Sequence, residues 1–228
     1  SFDQAYRDSE QQAFSYANFG LSPSIAIRRD NLSLDLGASV FYNIDVENSD
    51  SNIFVYPQIK ASLRVVDEFF IAYAGLNGAL KQNTYKAFVS QNPFLSPTQQ
   101  LRPTDEQYVA KLGIKGKLSD RVNYNLRGSY SNAENQPLFK ANDIVFPLTN
   151  RENYQHGNSF SVVYDNVSTL SFFGELTADV SQRFPLALNG EFFSYDTEFE
   201  DEAWNLPGLK ATLLSDVKLT EKLTANAQ

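Results

Sequence analysis

Acid–base chemistry by an imidazole has one candidate in this chain, His156 in the stretch NYQHGN. A catalytic triad needs a nucleophile and a carboxylate positioned around the ring, and no Ser or Asp at such spacing flanks it. No second histidine exists to complete a nitrogen-ligated metal site. His156 therefore reads as a solvated loop residue, and neither catalytic residues nor an enzyme activity are expected. Carboxylates at Glu198, Glu200, Asp201 and Glu202, and again at Asp45, Glu47 and Asp50, have the oxygen donors that a hard cation takes. Neither run has the glycine-punctuated spacing of a calcium loop, so both read as acidic loop tips, with no metal and no cofactor expected. The absence of cysteine removes disulfides and thiolate metal sites.

The basic residues are the more informative charges. Lys60, Arg64, Lys111, Lys115, Lys117 and Arg127, with Asp35, Glu175 and Asp179, all fall inside segments whose apolar residues recur at every second position. Such a residue must point away from the apolar side of its strand. Lys111, Lys115, Lys117 and Arg127 then share one polar face, a basic patch able to attract an anionic solute if that face lines an enclosed space. A net charge of −8 argues against nucleic acid as the partner, because phosphate binding requires a basic footprint.

The elements that carry these residues are long strands. From Leu32 to Ile44, apolar residues at even positions oppose Ser33, Asp35, Gly37, Ser39, Phe41 and Asn43 at odd ones. Ile53 to Val65 repeats the alternation, with Pro57 as a local defect. The run from Leu32 outlasts the usual soluble strand of about 5–6 residues and suits a tilted membrane crossing, which needs about 9–11. Further strands are expected at 19–28, 69–82, 107–119 and 122–132. Asp67 and Glu68, Asp120 and Arg121, and the segment Arg29 to Asn31 are tight polar connections, which make neighbouring strands antiparallel. The other ends are joined by long polar segments, Asn83 to Glu106 and Ala133 to Asn158. Short turns at one end and long loops at the other are the pattern of outer-membrane barrels.

The later third reads as strands at 159–164, 168–181, 186–197 and 206–219, with another starting near Leu223. Counted from the front, the short turns at 181–183 and 220–222 fall at the wrong end. The expected repair is a strand hidden within 136–148; the alternative is that 159–164 belongs to a loop and never crosses. Adjacent aromatics on opposite faces, Phe172 with Phe173 and Phe192 with Phe193, suit interfacial girdles, as do Phe41, Tyr42, Phe54, Tyr56, Phe69, Phe70, Tyr130 and Tyr195. No stretch is long and apolar enough for a membrane helix. No apolar targeting segment stands at Ser1 to Glu10, and a strand is only beginning at the closing LTANAQ. The whole of 1–228 thus reads as a single domain, an all-β antiparallel transmembrane β-barrel segment of about 11–12 strands, incomplete at both ends.

Several stretches resemble a known family: NPFLSP at Asn92–Pro97, PTDEQY at Pro103–Tyr108, GIKGKLSDRVNYNLRGSY at Gly113–Tyr130, SFFGEL at Ser171–Leu176 and AWNLPGLK at Ala203–Lys210. They are similar to the outer-membrane barrels of Bacteroidota of the TonB-dependent receptor type. The resemblance implies a barrel of about 22 strands with an N-terminal plug, importing metal chelates, glycans or peptides across the outer membrane. It also implies outer-membrane lipid, and other outer-membrane or periplasmic proteins, as partners. Neither a plug nor a TonB box is legible here. That leaves a non-transporting structural or accessory subunit of an outer-membrane assembly or secretion complex as the alternative. A soluble all-β surface domain is the third and least supported reading.

Overall fold

Period-two alternation over more than a dozen residues has one stable outcome, a sheet with one apolar and one polar face, and that is what the chain forms. The computed structural model describes residues 2–4, 13–45, 50–97, 99–143, 157, 159–181, 184–220 and 223–227. Its strands are β1 (Phe2–Gln4), β2 (Ala13–Leu21), β3 (Ser24–Arg29), β4 (Leu32–Asp45), β5 (Asp50–Val66), β6 (Phe70–Lys81), β7 (Thr104–Ser119), β8 (Val122–Ala141), β9 (Phe160–Ser181), β10 (Phe184–Thr197), β11 (Leu209–Thr220) and β12 (Leu223–Ala227), with one helix, α1 (Tyr85–Gln91). They make a single twelve-stranded sheet in sequence order, open between β1 and β12. Every pairing is antiparallel. β2 and β3 run end to end along β4, so the expected strand at 19–28 is one crossing interrupted at Ser22 and Pro23, where proline has no N–H to donate.

The register fixes the faces. One cross-strand row on the apolar face reads Leu63, Ala72, Ile114, Leu126, Gly174, Gly190 and Ala211. No charged residue falls on that face over Leu32–Ile44, Ile53–Val65, Phe70–Leu76, Ala110–Leu118, Val122–Asn132, Ser168–Ala178, Leu186–Ser194 or Leu209–Ser215. Large side chains such as Val55, Leu112, Leu126, Phe172 and Phe192 stand exposed there. The matching row on the polar face reads Asp35, Lys60, Gly75, Lys111, Ser129, Ser171 and Phe193.

The parity problem of the later third resolves without an extra strand among the described residues. Residues 160–164 are the outer end of β9, continuous with 168–181, and 136–141 are the outer end of β8. The connections of two or three residues, β3–β4, β5–β6, β7–β8, β9–β10 and β11–β12, then all lie at one end; the other end carries the four residues between β4 and β5 and the much longer β6–β7, β8–β9 and β10–β11 segments. Of the strand expected within 136–148, residues 136–141 belong to this longer β8 and 144–148 lie outside the described residues, while 160–164 are strand continuous with 168–181 rather than a separate crossing. Pro57 needs no bulge: the β5–β6 ladder stops at Gln58, paired with Asn77, and the Gln58 amide donates to the Gly78 carbonyl at 2.9 Å in its place. The aromatic girdle is partly corrected. Tyr42, Tyr130, Phe172 and Phe192 stand exposed on the apolar side, and Phe69 stands exposed in the β5–β6 turn. Phe41, Phe54 and Tyr56 instead pack together on the polar face, with ring centroids 5.8 and 6.3 Å apart.

Charge on the apolar face should cost what charge costs in lipid. Leu126→Arg is expected to destabilise the full-length protein by about 2–4 kcal/mol, the depth-dependent penalty at a bilayer midplane. Ser131→Arg, on the opposite face of the same strand, should be nearly neutral; urea-gradient folding into lipid vesicles measures both.

Candidate functional site

The polar face carries a recess of about 340 Å³ between β4 and β7, lined by Ser33, Asp35, Lys60, Ser62, Tyr73, Gly75, Asn77, Lys111 and Lys115 among others. Gly75 sits in register between Lys60 and Lys111, so the floor between two ammonium groups has no side chain. Tyr73 crosses the recess wall over Gly113. A Cβ at Gly113 would lie 2.4 Å from the Tyr73 ring and 2.6 Å from the Leu126 carbonyl oxygen, so only glycine permits this approach. The tyrosine hydroxyl donates to Asn125 Oδ1 at 2.7 Å, and Lys115 Nζ lies 5.7 Å from the ring centroid.

The expected basic patch is divided by its pairing. Lys117 bonds Glu68 in the β5–β6 turn. Arg127 bonds Glu191 at 3.2 Å and lies 4.5 Å over the Phe173 ring, while Ser171 donates to the same Glu191 oxygen and shares a hydrogen bond with Ser129. These two cations tie strands together. Lys111 and Lys115 take part in none of the ion pairs among the described residues, and neither does Lys60, which sequence spacing left outside the patch. Asp35, the one carboxylate on the recess wall, is engaged by Arg28 at 2.7 Å.

At the long-loop end, β8 and β9 outgrow their neighbours and are clad by two loops. The β6–β7 loop carries α1, capped by Thr84, whose hydroxyl accepts from the Ala87 N–H. It packs Phe88, Leu95 and Leu101 against Phe139, Phe160 and Val162. It also covers an edge of β9: Phe160 exchanges backbone bonds with Phe94 and Ser96, and Gln99 Oε1 accepts from the Val162 N–H at 2.6 Å.

The β10–β11 loop is held by Asp165, which is 1% exposed. Its carboxylate accepts from the backbone N–H groups of Glu198, Phe199 and Glu200 at 2.8 to 3.2 Å. Lys140 then bonds Glu200 at 2.7 Å, the Trp204 indole donates to Glu200, and Asn205 accepts from the Phe139 N–H. The acidic tip is thus part of a pinned loop, with Glu198 bonded by Asn166. Among the described residues no three His, Asp or Glu converge as a metal site would require. His156, Glu47 and the side chains of Asp45 and Asp50 lie outside the described residues.

The Lys140 hydrogen bond, with a smaller contribution from Trp204, holds the Glu200 carboxyl below its usual range, and the same bond raises Lys140. A carboxyl lowered on folding contributes stability that is present above its ordinary pKa and is lost as pH falls through the lower folded value. Trp204 is the single tryptophan of the chain, so its emission reports this loop. The emission should hold from neutral pH down to about 4.3, the ordinary range for glutamate, and shift below it. Glu200→Gln should remove that step, and an unchanged titration in the variant would contradict the assignment. Asp165→Ala leaves the N–H groups of 198–200 without their acceptor. Amide exchange there should accelerate about tenfold to a hundredfold, corresponding to roughly 1–3 kcal/mol for buried donors left unpaired.

A scan of protein-family models finds no match to this chain, and a search of curated proteins finds none. Solved structures do match. The pyoverdine outer membrane receptor FpvA of Pseudomonas aeruginosa PAO1, bound to pyoverdine, superposes with a TM-score of 0.60 at 15% identity, over 97% of this chain and 31% of that one. The copper transporter OprC gives 0.59 at 12%, over 91% and 33%. The FrpB iron transporter of Neisseria meningitidis gives 0.55 at 9%, over 92% and 32%. The chain spans about a third of the length of these structures, and the likeness is one of fold. That fold is the wall of an antiparallel transmembrane β-barrel, in which the apolar face is outermost and the polar face, with its lysine recess, lines the interior.

Proposed function

We propose that this chain forms part of the barrel wall of a bacterial outer-membrane receptor of the TonB-dependent type, and that the full-length protein takes up a solute across that membrane. The observation that carries the reading is the coincidence of two patterns on one sheet. The apolar face is free of charge over every crossing from β4 to β11, while every hairpin connection of two or three residues lies at one end. Lipid covers the first, and the second gives the wall the polarity of an outer-membrane barrel, with the pinned loops outside the cell. A source in Bacteroidota rests on the sequence texture alone. The face toward the interior holds five cationic residues on β5, β7 and β8 besides Lys117, a composition suited to a polar passage and to no lipid contact.

A second reading is favoured by one feature of the loop end. Phe94 and Phe199 stand exposed beyond the apolar band, on loops that are otherwise firmly packed. Exposed apolar side chains outside the membrane suit a protein partner, as an accessory subunit of an outer-membrane assembly or secretion complex would have.

The structures of like fold include a pyoverdine receptor, a copper transporter and an iron transporter, which sets the solutes to try. Cells expressing the full-length protein should accumulate an iron chelate or copper at least tenfold faster than deletion cells, and the difference should vanish when the proton gradient is collapsed. Equal accumulation, with a stoichiometric partner co-purifying and lost in Phe94→Ser/Phe199→Ser, would favour the accessory reading.

A further inference from the structure

Some cations on the interior wall of this sheet are neutralised by a named partner. Arg28 has Asp35, Lys117 has Glu68 and Arg127 has Glu191. Lys60, Lys111 and Lys115 take part in none of the ion pairs among the described residues, and they stand together around one recess. Lys60 and Lys111 stand on either side of Gly75, two strand spacings or about 10 Å apart at the backbone, within which two extended lysine side chains can reach the same point. Lys115 lies further along β7, about 13 Å from Lys111 at the strand rise, with its ammonium over the Tyr73 ring that forms the wall between them. Ser33, Ser62, Asn77 and the Tyr73 hydroxyl add neutral hydrogen-bonding groups around the three charges.

We propose that this recess is a binding site for a small multivalent anion carrying clustered phosphate or carboxylate oxygens. The proposal rests on the barrel reading, since an interior wall of low dielectric backed by lipid is what focuses the field of three ammonium groups onto a polar cleft. The recess volume of about 340 Å³ falls at the small end of ligand sites and is enough for a compact anion. Charge complementarity selects the occupant. Asp35 is the one carboxylate on the recess wall and is already held by Arg28, so the recess keeps an excess of positive charge, to which Arg64, cross-strand from Ile71 beside Lys115, adds. Glu175 is in the same cross-strand row as Lys115 but is separated from it by Asn125. Lys117 and Arg127 serve the wall rather than the site, and their removal is expected to affect assembly and not binding.

Equilibrium dialysis of labelled pyrophosphate against the purified full-length protein in detergent, at low ionic strength, tests this. A saturable site is expected, with affinity falling as salt is added. Lys60→Gln/Lys111→Gln/Lys115→Gln should weaken it at least tenfold, whereas Lys86→Gln on α1 should leave it unchanged. Heat-modifiable migration equal to that of the parent protein verifies that the triple variant is assembled. Should it fail to assemble, Lys60→Gln and Lys111→Gln separately should each weaken binding at least threefold. Absence of saturable binding to the parent protein, as would follow if an acidic protein segment filled the recess, overturns the proposal, as does unaltered binding in the variants. Either result leaves the barrel reading intact, because migration and membrane insertion are read independently.

Discussion

Everything in this structure depends on the requirement that strands facing lipid find partners for their backbone N–H and C=O groups in the neighbouring strand, since no water is available to supply them. The twelve strands pair in unbroken antiparallel succession for this reason. Where the ladder fails, a side chain or a loop replaces it. The Gln58 amide reaches the Gly78 carbonyl just where pairing between β5 and β6 stops. Gln99 and the backbone at Phe94 and Ser96 cover the edge of β9 where it extends past β10. The same need explains why the acidic loop tip folds down: Asp165 provides the acceptor that three consecutive amides require.

From that ladder follows the division of the faces. A period of two leaves each strand one side for lipid and one for the interior, and the antiparallel register aligns the apolar rows across eight strands or more. The interior rows must then accommodate every charge. Some are cancelled across strands, as in Arg127 with Glu191, and the Tyr73 ring fits because Gly113 lies beneath it. The lysine recess is what remains once these pairings are made. Its positive charge follows from the absence of side chain at Gly75 and from the commitment of Asp35 to Arg28.

Alternation in β4, β5, β7 and the first half of β8 was readable from sequence because the membrane itself imposes it, and the expected strand at 32–44 differs from β4 by one residue. Beyond the apolar band that constraint ends. Residues 134–141 and 160–167 are strand without alternating lipid contact, and a register shift between Ala133 and Gln136 breaks the period just where they begin. This is why β9 looked like two strands. α1 escaped notice because a single amphipathic turn or two, seated on Phe139 and Val162, leaves little periodicity to detect. Sequence spacing put Lys60, Lys111, Lys115, Lys117 and Arg127 on the polar face but could not show that Lys117 and Arg127 are ion-paired, because spacing shows which face a residue takes and not which partner waits across the strands. Glu68 and Glu191 are distant in sequence and adjacent only through register.

The central claim is that one face of this sheet meets lipid and the other an aqueous interior, with the boundary at the β8 register shift. Spin labels placed singly from Val122 to Ala141 in the full-length protein, reconstituted in lipid bilayers, test it through collision with oxygen, which partitions into lipid, and with a water-soluble nickel chelate. The account predicts oxygen preference at Tyr124, Leu126, Gly128 and Tyr130, nickel preference at Asn123, Asn125, Ser129 and Ser131, and loss of the oxygen-accessible phase beyond Ala133. Uniform accessibility along the strand, or an alternation of opposite phase, would contradict it.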